Sequence, residues 1–471
     1  MSQTTVFGFL SDLRLLAYGV SAKEFRYAEN MTSTPSAHEL IHGGGVPNYT
    51  LRAIPMFIVA IIFELFVGLL RGKKLYRMND FMTSIFLGST MLVVSIWTKL
   101  ATISAYCYIY KNFRLATLPM DSWYTWIGLF LGIDLGYYWM HRTAHTYHFM
   151  WAAHSVHHSG EDYNLATALR QGALQGATSW VFYLPLALAF HPGCYAGHQA
   201  LNTLGQFWIH TKVIGDLGPL EYIFNTPMHH RMHHRPPGNC NYAALLIIWD
   251  RMFGTFKVER EQQEYYGLAK QYSTWDPVWA NFEHARRVFV NVGGSNSFCK
   301  LFARRVKHPS VFKPMEVFGA IPYGAQSRWI MPYKAKREKY DPVLNHSIIL
   351  FYCFGHFVVT LAATLGVLMS KDSFTSIQMA LVSVYILFSM SCIAKLLDGE
   401  RSLKLISLET TRILIFCAVQ SSRIDFNMHK MGEESLGLVG SYYNGNYICA
   451  TLIVSWLVCM VFGLFAKQHN D

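Results

Sequence analysis

The stretch DLGYYWMHRTAH, residues 134–145, ends an apolar run and opens the first of three histidine sets. The second set is HSVHH at residues 154–158 and the third is HHRMHH at residues 229–234, so 13 of the 21 histidines lie between His141 and His234. On a helix, residues three and four apart share a face, so these spacings direct two or three imidazoles of each set toward one point. The pattern predicts a histidine-built metal centre, and imidazole suits iron, zinc and copper rather than calcium or magnesium.

The number of histidines predicts two metal ions. A zinc site needs about four ligands and often includes cysteine when it is structural, whereas these sets offer seven or more histidines. A soluble di-iron bundle would supply glutamates and Glu-x-x-His pairs, and the sets lack that pattern. An all-histidine dinuclear site remains, in which iron is the redox-active choice for a reaction with oxygen. Zinc stays a competitor, because spacing does not distinguish the two metals.

Composition indicates a polytopic membrane protein. Of the 471 residues, 52% are hydrophobic and 15% are charged, and the mean hydropathy is +0.19. Spans need about 20 apolar residues each, and we expect them near 53–70, 82–108, 123–140, 347–369, 374–396 and 447–466. The stretches 178–190, 195–210 and 406–420 are too polar or too short to assign. The predicted fold class is an all-α, polytopic membrane helical bundle with a histidine-rich di-metal site.

Four parts are predicted along the chain: an N-terminal arm at 1–50, a transmembrane and catalytic domain at 51–260, a polar cytosolic segment at 261–345 and C-terminal transmembrane helices at 346–471. Basic residues beside spans favour the cytosolic side. If Arg71, Lys73 and Lys74 are cytosolic, the second span leaves the cytosol and the third returns, so the metal site faces the cytosol. The net charge of +11 would suit nucleic acid, but the apolar composition argues against that partner. The N-terminus lacks a basic stretch before an apolar core, which predicts no cleaved signal peptide.

Two choices concern single histidines. His210 ends an apolar segment about 20 residues before the third set, where another helix could deliver one more imidazole; the alternative is a buried, hydrogen-bonded histidine. In the third set, either His229 or His230 could act with His233 and His234. The spacing of the second set favours His230.

Polar residues near the sets are candidates for catalysis. Asp134 lies two helical turns before the first set, and we expect it to accept the other N–H of a ligand imidazole. The alternative is a structural pairing of Asp134 with a nearby Tyr or Arg. Glu161, Asp162 and Asn164 directly follow the second set, where they could support the ligands or contact a substrate head group. Asp and Asn in such a position also commonly cap a helix.

Two other features favour no metal site. HELIH at residues 38–42 matches a zinc-protease motif, but it follows Thr34-Pro35-Ser36 closely and runs into three glycines, so it forms at best one short turn. The nine cysteines are scattered and contain no Cys-x-x-Cys, which predicts neither a disulfide framework nor a zinc knuckle.

The strings HRTAH, HSVHH and HRMHH, with WDRMFGTF at residues 249–256, resemble the fatty acid hydroxylase superfamily of membrane-bound di-iron enzymes. Within it, SGEDYNLATALRQ (159–171), QFWIHT (206–211) and LGPLEYIFNTP (217–227) look most like the ether-lipid-cleaving monooxygenases. The match is tight over residues 120–258. The resemblance implies that two iron ions are bound by nine histidines: His141, His145, His154, His157, His158, His210, His230, His233 and His234.

The resemblance also implies an endoplasmic reticulum enzyme that uses O2 and tetrahydrobiopterin to hydroxylate the ether-linked carbon of an alkylglycerol or lyso-alkyl phospholipid. The hemiacetal collapses to a fatty aldehyde and a glycerol derivative. Two positions depart from the superfamily, which has histidine where this chain has Gln206 and an acid where it has Thr146. The alternatives are a sterol or fatty-acyl hydroxylase or desaturase with the same metal site, and a histidine-rich zinc transporter, whose ligands would lie at mid-bilayer.

Overall fold

The structure, a computed structural model, describes residues 49–236, 238–258, 265–292, 302, 339–342, 347–421, 449 and 451–457. Within these ranges the chain is helical and contains no β-strand beyond an isolated bridge between Phe224 and Leu246, which confirms the all-α prediction. HELIH at 38–42, nearly all of the 1–50 arm, most of the 261–345 segment and parts of the predicted span at 447–466 lie outside the described residues. The four predicted parts therefore stay a prediction.

The chain forms two compact units, of which the first comprises Met1–Arg77, Val94–Tyr272 and Asn281–Glu338. Its α-helices are α1 (Tyr49–Leu70), the later part of α2 (Met78–Phe113), α3 (Trp123–Thr146), α4 (His148–His154), α5 (Gln175–Ser179), α6 (Pro192–Gly205), α7 (Pro227–His234), α8 (Ile248–Met252) and most of α9 (Pro277–Val292). Short 3-10 helices lie at His157–Ser159, Leu165–Leu169, Trp180–Leu188 and Gly218–Tyr222.

The core of the first unit is built where α1, α3 and α6 meet. Buried apolar side chains from these helices form one cluster that includes Met56, Ile133 and Leu201. The ring of Phe57 packs on Phe207 with centroids 4.3 Å apart, which ties α1 to the turn after α6. This packing fixes α3, whose last two turns change from apolar to histidine-rich sequence.

The second unit comprises Met78–Val93, Ser273–Ala280 and Lys339–Asp471. Its helices are the first part of α2, the start of α9, α10 (Ser347–Met369), α11 (Ser376–Leu397) and α12 (Leu403–Ser421), with a 3-10 helix at Lys371–Ser373; residues 451–457 are also helical. A capping box starts α11, since the Thr375 hydroxyl accepts the amide of Gln378 while the Gln378 side chain accepts the amide of Thr375.

Four helices in the described part of the chain are long and apolar enough to cross a membrane: α1, α2, α10 and α11. They match the predicted spans at 53–70, 82–108, 347–369 and 374–396. The predicted span at 123–140 forms α3 but is not among the four, because Trp, Tyr and Gly residues and Asp134 lower its hydropathy. The polytopic membrane bundle is confirmed, with fewer spans identified than the sequence predicted.

Candidate metal centre

Buried histidines of the first unit form two groups. Within each group, the ligand nitrogens all lie within 4.8 Å of one another. The five-histidine cluster consists of His141, His145, His154, His158 and His233, and the four-histidine cluster consists of His157, His210, His230 and His234. Together they are the nine histidines predicted above as metal ligands. Their convergence is a feature of the structure, whereas their action as metal ligands stays a prediction.

In the five-histidine cluster the Nε2 atoms face one another. His154 Nε2 lies 2.9 Å from that of His141 and 3.2 Å from that of His158. His158 Nε2 in turn lies 3.1 Å from those of His145 and His233. Two nitrogens bound to one metal at about 2.1 Å lie roughly 3.0 Å apart when the angle at the metal is near 90°. The spacing therefore fits nitrogens arranged around a common ion.

The four-histidine cluster repeats this arrangement. His210 Nε2 lies 2.9 Å from that of His230 and 3.3 Å from that of His157, and His234 Nε2 lies 3.1 Å from that of His230. The ring of His234 stacks on that of His158, with centroids 4.4 Å apart. The two clusters are therefore adjacent, as a dinuclear site requires.

Helical spacing delivers most of these side chains. His141 and His145 lie four residues apart on α3, where they share a face. On α7, His230 and His234 are likewise four apart and enter the four-histidine cluster, while His233 enters the other. His210 arrives differently from the prediction, because it lies in the turn after α6 and not on a helix.

The structure distinguishes His229 from His230. The His229 side chain turns away from both clusters, so that its Nε2 lies 3.9 Å from a carboxylate oxygen of Glu221 and its ring packs edge-on against Phe256. Its Nδ1 faces Thr226, the residue that caps α7. The choice of His230 over His229 thus agrees with the geometry.

Backbone carbonyls orient four of the imidazoles. His141 Nδ1 lies 2.8 Å from the carbonyl of Tyr242, and His233 Nδ1 lies 2.7 Å from that of Cys240. In the four-histidine cluster the carbonyls of Arg170 and Gln206 contact Nδ1 of His157 and His210, each at 2.9 Å. A carbonyl only accepts, so these contacts place the proton on Nδ1 and leave the Nε2 lone pair free to bind a metal.

Burial keeps these imidazoles neutral. Desolvation lowers the pKa of His210 to about 4 and that of His233 to about 3, although backbone hydrogen bonds act in the opposite direction. For His157 and His234 the pKa falls well below the usual value, first through burial and then through neighbouring imidazoles. Neutral, convergent nitrogens without a carboxylate in either cluster are a donor set that fits iron or zinc.

The Asp134 carboxylate has no described hydrogen bond from a clustered imidazole, contrary to the prediction. It accepts the side-chain amide of Asn202 at 3.0 Å, the indole N–H of Trp249 at 2.9 Å and the backbone amides of Leu245 and Leu246 at 3.0 and 3.1 Å. The carbonyls of Tyr242 and Cys240 instead accept from His141 and His233, and the side chain of Gln175 lies 3.0 Å from Nδ1 of His154. Asp134 therefore holds the backbone of Leu245 and Leu246, close in sequence to the carbonyls that contact His141 and His233.

The acids after the second set lie against a basic side chain. Arg77 forms ion pairs with Asp162 at 2.9 Å and with Glu161 at 3.1 Å, and all three side chains are largely buried. Asn164 caps the 3-10 helix that follows, since its side-chain oxygen accepts the amide of Ala166. The capping alternative thus describes Asn164, and a catalytic role for these residues stays a prediction.

Sequence reasoning missed Asp250. This carboxylate is fully buried and accepts the amides of Tyr242 and Ala243, both at 2.8 Å, and the hydroxyl of Thr255 at 2.6 Å. Burial raises its pKa to about 6, and these hydrogen bonds act to lower it. The sequence signal that could have indicated Asp250 was the lone acid in WDRMFGTF. The structure adds that the neighbouring Trp249 donates to Asp134.

Comparison with known proteins shows the family. The chain is 39% identical over 375 residues to alkylglycerol monooxygenase from Homo sapiens, covering 79% of this chain and 82% of the relative. It is 37% identical to that of Xenopus tropicalis (80% and 82% covered) and 38% identical to that of Danio rerio (75% and 78% covered). The chain belongs to the alkylglycerol monooxygenase family. The fatty acid hydroxylase model matches residues 126–255, a range that contains all nine clustered histidines of this family member. No solved structure matches the chain.

Proposed function

We propose that the protein is an ether-lipid monooxygenase, which hydroxylates the ether-linked carbon of alkylglycerols or lyso-alkyl phospholipids with two iron ions, O2 and tetrahydrobiopterin. One observation carries the proposal: two adjacent all-histidine clusters lie in a membrane protein that is 39% identical to human alkylglycerol monooxygenase. The five-histidine and four-histidine clusters would each hold one iron.

One oxygen atom of O2 enters a C–H bond of the ether carbon and gives a hemiacetal, while the other leaves as water with two electrons and two protons from the pterin. The hemiacetal hydroxyl then loses its proton, the bond from the carbon to the glycerol oxygen breaks, and that oxygen takes the proton. The products are a fatty aldehyde and a glycerol derivative.

Bound iron would supply the activation of oxygen, which amino-acid side chains cannot provide. The chain supplies the rest. Backbone carbonyls hold the imidazoles of His141, His157, His210 and His233 with Nε2 unprotonated. Burial of all nine rings keeps water from the reacting atoms. We assign Asp134, Glu161, Asp162 and Asn164 supporting roles in this site, because their hydrogen bonds and ion pairs hold segments that follow the second histidine set or contact clustered imidazoles.

We also propose that the protein resides in the endoplasmic reticulum membrane with the site toward the cytosol. The turn between α1 and α2 supports this orientation, because it exposes Arg71, Lys73 and Lys74, and short basic turns favour the cytosolic side. The orientation requires that α3 return to the cytosolic surface. Protease protection of an epitope placed in this turn, in sealed microsomes, tests it.

The test of activity uses the full-length protein in detergent with a labelled alkylglycerol, O2 and tetrahydrobiopterin. We expect one fatty aldehyde for each pterin oxidised, no aldehyde from the matched acylglycerol, and none from a His157→Ala variant. Hydroxylation of a sterol or fatty-acyl chain with another electron donor, without aldehyde release, would support the sister activity instead. Bound zinc with no consumption of oxygen would refute the monooxygenase.

A further inference from the structure

A buried backbone segment of residues 240–246, which we name the strap, lies behind the five-histidine cluster. Its carbonyls at Cys240 and Tyr242 accept from Nδ1 of His233 and His141. Both of these histidines belong to the five-histidine cluster. The strap is not part of a described helix, so its shape must be set by other hydrogen bonds.

Two carboxylates accept four of the strap's backbone amides, and Asn225 donates to the carbonyls of Ala243, Ala244 and Leu245. Asp250 takes the amides of Tyr242 and Ala243, one on each oxygen, at 2.8 Å. Asp134 takes the amides of Leu245 and Leu246 in the same bidentate way, at 3.0 and 3.1 Å. Both acids are fully buried with 0% exposure, so each bond forms in a medium that strengthens it.

None of the strap's described carbonyl contacts reaches an imidazole of the four-histidine cluster, although the side chain of Asn241 donates to the backbone carbonyl of His229 on α7. The known carbonyl partners of the four-histidine cluster are those of Arg170 and Gln206, which lie on other segments. A change in the strap should therefore act directly on the imidazoles of the five-histidine cluster.

We infer that Asp134 and Asp250 are positioning residues that clamp the strap and thereby fix the metal-binding tautomer of His141 and His233, selectively for the five-histidine cluster. The inference rests on the proposed metal centre, and it assigns the buried acids of the WDRMFGTF and DLGYYWMHRTAH strings a purpose in metal retention. An Asp250→Asn change would turn one acceptor oxygen into an N–H donor facing a backbone N–H, so the strap would shift.

The experiment is an anaerobic Fe(II) titration of the metal-free, full-length protein in detergent. We expect the wild type to bind two equivalents, and Asp250→Asn to bind one of them normally and the other about 10- to 100-fold more weakly, the range seen when partners behind metal ligands are lost. Asp216→Asn is the matched control, since Asp216 also accepts a backbone amide, that of Gly218, but in an exposed loop. It should bind both equivalents as the wild type does.

Double variants identify which of the two histidine clusters binds iron more weakly. In His210→Ala, which lacks the four-histidine site, Asp250→Asn should weaken the remaining equivalent 10- to 100-fold. In His145→Ala, which lacks the five-histidine site, Asp250→Asn should have no effect on the remaining one. Trp249→Phe, which removes one hydrogen bond to Asp134 and keeps an aromatic ring, should weaken the same equivalent several-fold and serves if Asp250→Asn does not fold.

The iron-binding results distinguish a failure of the proposed di-iron centre from a failure of the inference about the strap. A wild type that takes up no iron overturns the di-iron centre and this inference together. A wild type with two equivalents overturns the strap alone if folded Asp250→Asn and Trp249→Phe also bind both tightly, or if they weaken both sites equally while lowering the melting temperature of the metal-free protein.

Discussion

The Nε2 atoms of His230 and His234 lie 3.1 Å apart on successive turns of α7, whereas His229, one residue before His230, points toward Glu221. Adjacent residues of one helix thus face the four-histidine cluster and Glu221. We predict that His230→Ala loses one iron equivalent and lowers aldehyde formation by about 100-fold or more, because a proposed metal ligand is removed. His229→Gln should keep both irons and most activity. Metal analysis and the aldehyde assay measure both.

The pair of variants also tests the choice between the neighbours. If His229→Gln lost iron while His230→Ala retained both equivalents, the assignment would be reversed. Equal loss in both would mean that both substitutions disturb α7 as a whole, which a lower melting temperature of both metal-free proteins would reveal.

Gly172 lies two residues after the carbonyl that orients His157. A Cβ atom at this position would overlap the backbone carbonyl oxygen of Ala153, which cannot move without displacing α4. We predict that Gly172→Ala destabilises the protein by about 3 kcal/mol through this overlap. Gly176→Ala is the control, because its Cβ would meet nothing within 4 Å and alanine favours α5, so a gain of about 0.5–1 kcal/mol is expected. Thermal unfolding in detergent compares them.

Sequence alone anticipated the parts of this protein that depend on local spacing. The face shared by His141 and His145, and that of His230 and His234, follows from helical geometry. Four of the spans were predictable from the length of their apolar runs. The mean hydropathy of α3 is lower than that of these spans because α3 contains Trp, Tyr and Gly residues and Asp134. These properties are local in the chain, so a single sequence contains them.

The contacts behind the ligands were not predictable in the same way. The partner of Asp134 was expected to be an imidazole, yet it is a backbone segment more than 100 residues later. Any residue can offer an amide or a carbonyl, so the sequence does not encode which one will reach a buried acid. Arg77 likewise pairs with Glu161 and Asp162 only because the turn after α1 folds back on them.

The ion pairs of Arg77 with Glu161 and Asp162 predict the effect of replacing Arg77. Replacement by Gln would remove the Arg77 cation from its contacts with two largely buried carboxylates, and we expect a loss of about 3 kcal/mol in the free energy of unfolding. Arg114→Gln, at an exposed site, should change stability by less than about 0.5 kcal/mol. Urea titration followed by tryptophan fluorescence measures both variants. A catalytic rather than structural use of the acids would instead show as Asp162→Asn losing turnover at unchanged stability.

A second buried ion pair lies in the C-terminal unit, where Arg412 pairs with Glu409 on α12 and also contacts Nδ1 of His356 at 2.6 Å. Both charged side chains are under 5% exposed, and the hydroxyl of Tyr352 donates to Glu409. Arg412→Met alone leaves a buried carboxylate uncompensated and should cost about 3–5 kcal/mol. The double variant Glu409→Gln with Arg412→Met should recover much of this loss, because neither charge remains. If the double variant were instead less stable than Arg412→Met, the carboxylate would be held by partners other than Arg412. A double-mutant cycle of unfolding free energies, with Glu409→Gln as the second single variant, measures this coupling.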